Sequence, residues 1–330
     1  MLVLSRKDIA RCLSMREAVA VVKQAFALLS AGKAVVPPRV HIDVPDQDGV
    51  VLVMPGYLPE QQALAVKTVS IYPRNVGDGF PAIHALVLAV DPRSGAPLAV
   101  LEGAGLTALR TGAAAGAATD LLARAATVRA AIFGAGVQGR TQLEAVCAVR
   151  PIREAWVYDV DAEAAQTFAR EMEEKIEAAI RVASSASEAA SGADVICTAT
   201  TSAEPVFEDR DIRPGTHINA MGVFKPDKRE VPAGTVKRAR VVVDSREACM
   251  EEASDLLIPL REGIIDESHI TAELGEIAPA ALGRAAPGRG SEEEITLFKS
   301  VGVAVQDAAV AAAVLARAGE LGLGAQVPLD

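Results

Sequence analysis

VRAAIFGAGVQGRTQLEAVCAVRPIREAWVYDVD, residues 128–161, is the stretch from which the rest of the chain is read. An apolar run ends in Gly134-Ala135-Gly136-Val137-Gln138-Gly139, a helical run follows, and a second apolar run closes on Asp159. Strand, glycine turn, helix, strand and acid, in that order, make the βαβ unit that cradles a dinucleotide. Gly134 permits the tight turn, Gly136 lets the backbone approach a pyrophosphate, and Gly139 lets the helix pack close to the strand. The helix start then offers free N–H groups and the positive end of its dipole to the phosphates. Glycines also gather in ordinary α/β turns, so the flanking strands and the acid that follows are what give this turn its meaning. Asp159 is placed to accept hydrogen bonds from a ribose diol and to repel a 2′-phosphate, and neither Val160 nor Asp161 is an arginine that would welcome one. NAD(H) is therefore expected in preference to NADP(H), with NADP(H) as the alternative.

The chain has 330 residues, enough for two domains with a core each. Half of it is apolar and 23% charged, an ordinary globular composition. A net charge of −10 argues against a nucleic-acid or anionic-membrane surface. The opening residues MLVLSRKDIARCLS lack the apolar core of a signal peptide, and the alanine-rich stretch 308–316 is too short to span a bilayer. Cys12, Cys147, Cys197 and Cys249 are scattered, which suits a reducing cytoplasm, and His41, His84, His217 and His269 are equally dispersed, so no metal is expected.

Upstream of the glycine turn, Ser14-Met-Arg-Glu17 reads as a capping box opening an amphipathic helix over 15–31 that Gly32 ends. After Pro37-Pro38 the pattern changes to short extended pieces at 39–44, 50–54, 64–71, 83–90 and 98–101, a mostly antiparallel sheet in a domain of its own. A helix of small residues over 107–125 leads into a doubly wound section with strands at 127–133, 155–160, 194–200, 217–222, 241–245 and 295–300. A charged helix over 161–177 separates two of them. Residues 281–291 form a Gly/Pro/Arg loop, and an alanine-rich helix over 301–320 is expected to return to the first domain.

The fold class expected is α/β: a Rossmann doubly wound parallel sheet plus an α+β substrate and dimerisation domain built from the N-terminal block and the C-terminal helix. The boundaries follow as 1–120 with 303–330 for the substrate domain and 121–302 for the NAD(P)-binding domain. Binding a small carboxylate beside a nicotinamide calls for buried cations from strand ends or from the other domain. Lys67 stands inside an apolar strand, AVKTVSIY, where a lysine is costly unless it is paired or faces a cleft. Arg39 follows Pro-Pro in a rigid extended segment, and Arg110 precedes Thr-Gly in the small-residue helix. A surface or salt-bridged cation is the plainer reading of each.

At these residues the chain resembles the ornithine cyclodeaminase/mu-crystallin family over nearly its whole length. The matching pieces are VPPRV (36–40), VMPGYL (53–58), the VKTVS…N…GFP run (66–81), LRTGAAA (109–115), GAGVQG (134–139), HINAMG (217–222), ELGEI (273–277) and EEEITLFKSVGVAVQD (292–307). The resemblance implies a homodimer and an NAD(P)-dependent reaction on a small α-amino, α-imino or α-keto acid. Carried over by position, it implies that Arg39, Lys67 and Arg110 bind the substrate carboxylate and that Val301 borders the substrate. It further implies cofactor contacts from Arg110, Thr111, Val137, Gln138, Asp159, Thr200, Met221, Lys228 and Ser300, beside the three glycines. Lys67 is also the best-placed proton donor or electrostatic partner for a reacting C=N nitrogen.

Two departures narrow the reaction. Cyclodeaminases carry an acid/base aspartate two residues after the glycine of HINA-x-G, where this chain has Phe224, and Leu52 replaces a charged residue near the substrate amine. Losing a general acid/base typically costs about 10²–10⁴ in rate. A nearby Asp227 could partly substitute for the missing carboxylate, although a solvated loop acid is its default reading. Cyclising ornithine needs repeated proton transfers, whereas reducing a preformed cyclic ketimine needs one hydride and a protonated C=N. The expectation is a cytoplasmic ketimine reductase acting on Δ1-pyrroline-2-carboxylate or Δ1-piperideine-2-carboxylate. Ornithine cyclodeaminase and an alanine-dehydrogenase-like activity are the rival enzymes, and a nucleotide-dependent binding protein of mu-crystallin type is the rival from another class.

Overall fold

The computed structural model describes residues 1–223, 228–278 and 288–328. Phe224, Asp227 and most of the 281–291 loop lie outside the described residues. The chain divides into two compact units, Met1–Arg110 with Val303–Asp330, and Thr111–Gly302. The dividing line falls between adjacent residues of one helix, ahead of the boundary expected at 120, because an unbroken helix offers the sequence no punctuation at that point.

The first unit contains β1 (Leu2–Leu4), α1 (Arg6–Cys12), α2 (Met15–Ser30), β2 (Val40–Val44), β3 (Gly49–Leu58), β4 (Ala63–Ile71), β5 (Ile83–Val90), β6 (Pro97–Glu102) and the start of α3 (Gly103–Leu122). The second contains β7 (Arg129–Phe133), α4 (Val137–Val149), β8 (Glu154–Tyr158), α5 (Ala162–Glu173), β9 (Ala179–Val182), α6 (Ala186–Ala190), β10 (Val195–Thr198) and β11 (His217–Ala220). It continues through α7 (Ala233–Arg238), β12 (Arg240–Val243), α8 (Arg246–Glu252), α9 (Ser254–Arg261), β13 (Ile270–Glu273), α10 (Leu274–Ile277) and β14 (Thr296–Lys299). Helix α11 (Ala304–Leu321) and β15 (Ala325–Gln326) then belong to the first unit again.

In the first unit, reciprocal boxes of Ser5 with Asp8 and of Ser14 with Glu17 start α1 and α2, satisfying backbone donors that a bare helix end leaves open. The sheet runs β15-β1-β6-β5-β4-β3-β2, antiparallel except where β1 lies parallel to β6. The tight β3–β4 connection turns at Gln62 (φ 53°), a left-handed position taken by a residue other than glycine. Alternation along β3 and β4 sends Leu52, Met54, Ala65 and Lys67 to the buried face, where Leu52 and Met54 pack with Ala304. The register then gives the other face Val40 and Ile42 from β2 and Leu86 from β5, at 53%, 50% and 56% exposure. Val3 and Leu98 lie on that same apolar face.

The second unit is an eight-stranded, wholly parallel sheet in the order β13-β12-β14-β11-β10-β7-β8-β9. Its inner strands β7, β10, β11, β12 and β14 are buried on both faces, as the strands of parallel sheets are, while β8, β9 and β13 toward the edges alternate buried and more exposed positions. The chain moves from β7 out to β8 and β9 on one side and resumes with β10 on the other. That reversal beside β7 is the switch point where α/β proteins of this kind bind ligands.

Candidate active site

In the parallel-sheet unit the candidate cofactor residues gather at the carboxyl ends of the strands. Gly134 leaves β7 with φ 101°, and a Cβ there would collide with the carbonyl of Ala199. A Cβ on Gly139 would run into the carbonyl oxygen of Gly134, so helix and turn pack as closely as a missing side chain permits. Gly136 differs: it is the N-cap of α4, makes no side-chain cap, and the space its Cβ would fill is open. The unpaired N–H groups of the first turn and that open space fit a pyrophosphate. Asp159, directly after β8, accepts from the Ala135 N–H at 2.7 Å and the Asp161 N–H at 3.0 Å, which fixes its carboxylate while leaving lone pairs for a ribose. Gln138 Oε1 is buried and has no hydrogen-bond partner among the described residues.

An arginine does stand at this turn. Arg140 donates to the carbonyls of Ala135 and Gly136, pairs with Glu171 at 2.7 Å and lies over the Phe168 ring. It brackets the Ala135 peptide opposite Asp159. The local reading around Asp159 missed it because proximity comes from the helix turn and not from the next residues along the chain.

Thr200, Met221 and Ser300 follow β10, β11 and β14, each tied down from behind. Glu230 accepts from Thr198 Oγ1, from Thr200 N and Oγ1, and from Gly222 N, at 2.7–2.9 Å. Burial, then neighbouring Asp255, pushes the Glu230 carboxyl up. Asp244 Oδ2 accepts from Ser300 Oγ at 2.6 Å and from the N–H groups of Val301 and Gly302. Lys228 donates to the Thr201 carbonyl at 3.3 Å, Thr111 is buried, and the Val301 side chain packs on the sheet core. His217, buried between Thr296 and Asn219, is pushed down to about 3 and is a neutral architectural residue. Neither Glu230 nor Asp244 has a local signature, since of the partners just named only Gly222 is near in sequence and the others lie 30 to 58 residues away.

In the first unit Lys67 and Arg110 meet on one carboxylate that sequence reasoning did not single out. Asp307, in the first turn of α11, accepts from Lys67 Nζ at 2.8 Å and from Arg110 Nε at 3.2 Å, with Lys67 and Asp307 both 2% exposed. Arg110 Nη1 donates to Gln306 Oε1 at 3.1 Å, and Val303 N donates to the same oxygen. Two cations against one anion leave a net positive charge in a dry site, and Arg39, half-buried ahead of β2, adds its field. Burial first, then the Arg110 charge, lowers Lys67 to about 8 in spite of Asp307. Burial alone would raise the Asp307 carboxyl, but Lys67 and Arg110 hold it below its ordinary value. Arg110 Nη2 makes no hydrogen bond among the described residues, leaving a donor for a further carboxylate. Leu52 lies in the apolar cluster on this face.

A dinucleotide turn on a parallel sheet, with a separate unit carrying buried surplus positive charge, defines a dinucleotide-dependent protein of small anionic substrates. The chain belongs to the ornithine cyclodeaminase/mu-crystallin family, which it matches over residues 1–321. It is 39% identical over 328 residues to a Δ(1)-pyrroline-2-carboxylate reductase of Bacillus cereus, covering 99% of both chains. The structure of Thermococcus litoralis Δ(1)-pyrroline-2-carboxylate reductase in complex with NADH and L-proline superposes with a TM-score of 0.94 at 48% identity, covering 99% of this chain and 100% of that one. An archaeal alanine dehydrogenase dimer with bound NAD gives a TM-score of 0.92 at 34% identity, covering 100% and 99%.

Proposed function

We propose that this chain is an NADH-dependent reductase of small cyclic ketimines bearing a carboxylate, converting Δ1-pyrroline-2-carboxylate or Δ1-piperideine-2-carboxylate to proline or pipecolate. The observation that carries the reading is a buried lysine lowered to about 8 that shares one carboxylate with an arginine, with positive charge to spare. Full-length likeness to pyrroline-2-carboxylate reductases supports the same substrate class.

Arg110, through its unbonded Nη2, and Arg39 hold the substrate carboxylate. Lys67 presents its ammonium to the ring nitrogen, and a proton passes from Nζ to that nitrogen as C=N becomes CH–NH. A donor with a midpoint near working pH does this well, because it is charged before transfer and loses the proton readily. NADH, when bound, would supply a hydride for the carbon bearing the carboxylate. Gly134, Gly136, Gly139 and Asp159 hold the dinucleotide, and Glu230 and Asp244 keep the loops after β10, β11 and β14 in register around it. The exposed apolar face of the first unit's sheet supports a homodimer, with a second copy as its cover.

The test is an NADH-oxidation screen over both cyclic ketimines, pyruvate with ammonia, and the reverse assay with ornithine and NAD. Ketimines outpacing the others by tenfold or more in kcat/KM is the expected result. Faster turnover of pyruvate with ammonia would replace the reading by an alanine dehydrogenase. Proline and ammonia formed from ornithine would replace it by a cyclodeaminase. Tight NADH binding without any turnover would leave a binding protein.

A further inference from the structure

Lys67, Arg110 and Asp307 come from β4, α3 and α11, and among the described residues only Asp307 touches both cations. The cross-strand partners of Lys67 are Met54 and Val87, both apolar, so the strands on either side bring it no charge. The charged groups acting on Lys67 are Asp307, Arg110 and Arg39, one anion among cations. Gln306 adds a neutral acceptor on the adjacent position of α11. It is fully buried, and its oxygen is fixed by Val303 N and Arg110 Nη1. The Gln306-Asp307 pair therefore meets Arg110 on two of its nitrogens and aims the remaining Asp307 oxygen at Lys67 Nζ.

Resting on the reading of Lys67 as proton donor, we infer that Asp307 is a positioning residue that keeps Lys67 charged and aims its Nζ. It holds apart two roles that would otherwise compete, since Arg110 grips a carboxylate best beside other cations while Lys67 beside those cations alone would shed its proton. In this arrangement the substrate carboxylate meets Arg110 and Arg39, and the counter-charge on Asp307 keeps the donor loaded until the ring nitrogen takes its proton. Lys67 recovers a proton from solvent after product leaves, so no other reactant is needed.

Asp307→Asn in the full-length protein tests this. Lysine labelled with ¹³C at Cε, with the Lys67 signal identified by its loss in Lys67→Met, gives the titration midpoint directly and without any activity assay. Removing an opposite charge at this range moves a midpoint by about 1–3 units, so the Lys67 midpoint falls by that amount from about 8. The basic limb of kcat/KM for the ketimine falls with it, kcat near pH 8 drops about tenfold or more, and KM does not rise. Asp307→Glu, which keeps the charge, restores the position of the limb. Should the asparagine variant not fold, Asp307→Ser, which leaves room for water beside Nζ, gives the same titration. An unmoved Lys67 midpoint in a folded variant overturns the role of Asp307. A wild-type protein that reduces no ketimine overturns the proposed function while the titration still decides for or against Asp307.

Discussion

Two lysines interrupt apolar strands in this chain, Lys67 in AVKTVSIY and Lys299 in ITLFKS, and their surroundings differ in the sign of the excess charge. Both are buried and both bond an aspartate, at 2.8 and 2.7 Å. Lys67 sits with one carboxylate among guanidinium groups and is lowered to about 8. Lys299 has Asp255 and Glu230 on its side and donates to the Val223 carbonyl, and these acids raise it above its ordinary value although burial works against them. Asp255 in turn accepts from the Glu230 and Val231 N–H groups, so Lys299 anchors the network behind Thr200 and Gly222. Burial of a lysine says only that something must compensate it. Whether compensation overshoots or falls short separates a residue that fixes structure from one able to give up a proton.

Substitution of each lysine by methionine is the strongest attempt to break this contrast. Lys67→Met is expected to lower ketimine turnover about 10²–10⁴-fold, while urea denaturation shows a stability change within about 1–2 kcal/mol because Asp307 keeps Arg110. Lys299→Met leaves two acids buried without their cation and is expected to cost about 3–5 kcal/mol in the same measurement. A stable Lys299→Met protein, or an active Lys67→Met one, ends the comparison. Asp159→Asn probes the cofactor turn, where removing one charge is expected to narrow the preference for NADH over NADPH about tenfold in kcat/KM, worth ~1.4 kcal/mol. Unchanged preference would shift the discrimination to Arg140.

The last contrast is in stability against pH. Because the folded midpoint of Lys67 is about 8 and the unfolded one 10.5, the unfolded state binds more protons between those values. Stability gains from this group as pH rises through that window, and Lys67→Met removes the gain. Lys299 has the opposite sign: its contribution is complete below 10.5 and is lost only as pH climbs through its raised folded value. Urea midpoints at pH 7.5 and 9.5 for wild type and Lys67→Met distinguish the two.

The glycine turn, the parallel strands and the antiparallel block are legible in the sequence because each rests on short-range periodicity or a backbone requirement. Strands β1, β9, β13 and β15 are not, since β9, β13 and β15 are partly exposed sheet edges, β1 has three residues, and all four lack the wholly buried run that marks the equally short β10. Helix α3 begins at Gly103, earlier than the small-residue run announces, because the Glu102 carboxylate accepts from the Ala104 and Gly105 N–H groups and starts it. Lys67 and Arg110 stand out as cations in apolar or small-residue surroundings. Asp307 does not, because an acid in the first turn of a helix is ordinary and its partner Lys67 lies 240 residues away. Lys299 carried the same local signal as Lys67, and only the three-dimensional company of each assigns them different work.

That separation has a consequence for synthesis. Chains are made and fold from the N-terminus onward, so the strand holding Lys67 and the helix holding Arg110 emerge long before α11. The parallel-sheet unit, continuous from Thr111 to Gly302, is complete while those cations still lack their anion. The first unit closes only when α11 delivers Asp307 and β15 pairs with β1, so Lys67 and Arg110 wait for their shared anion until the parallel-sheet unit has been made.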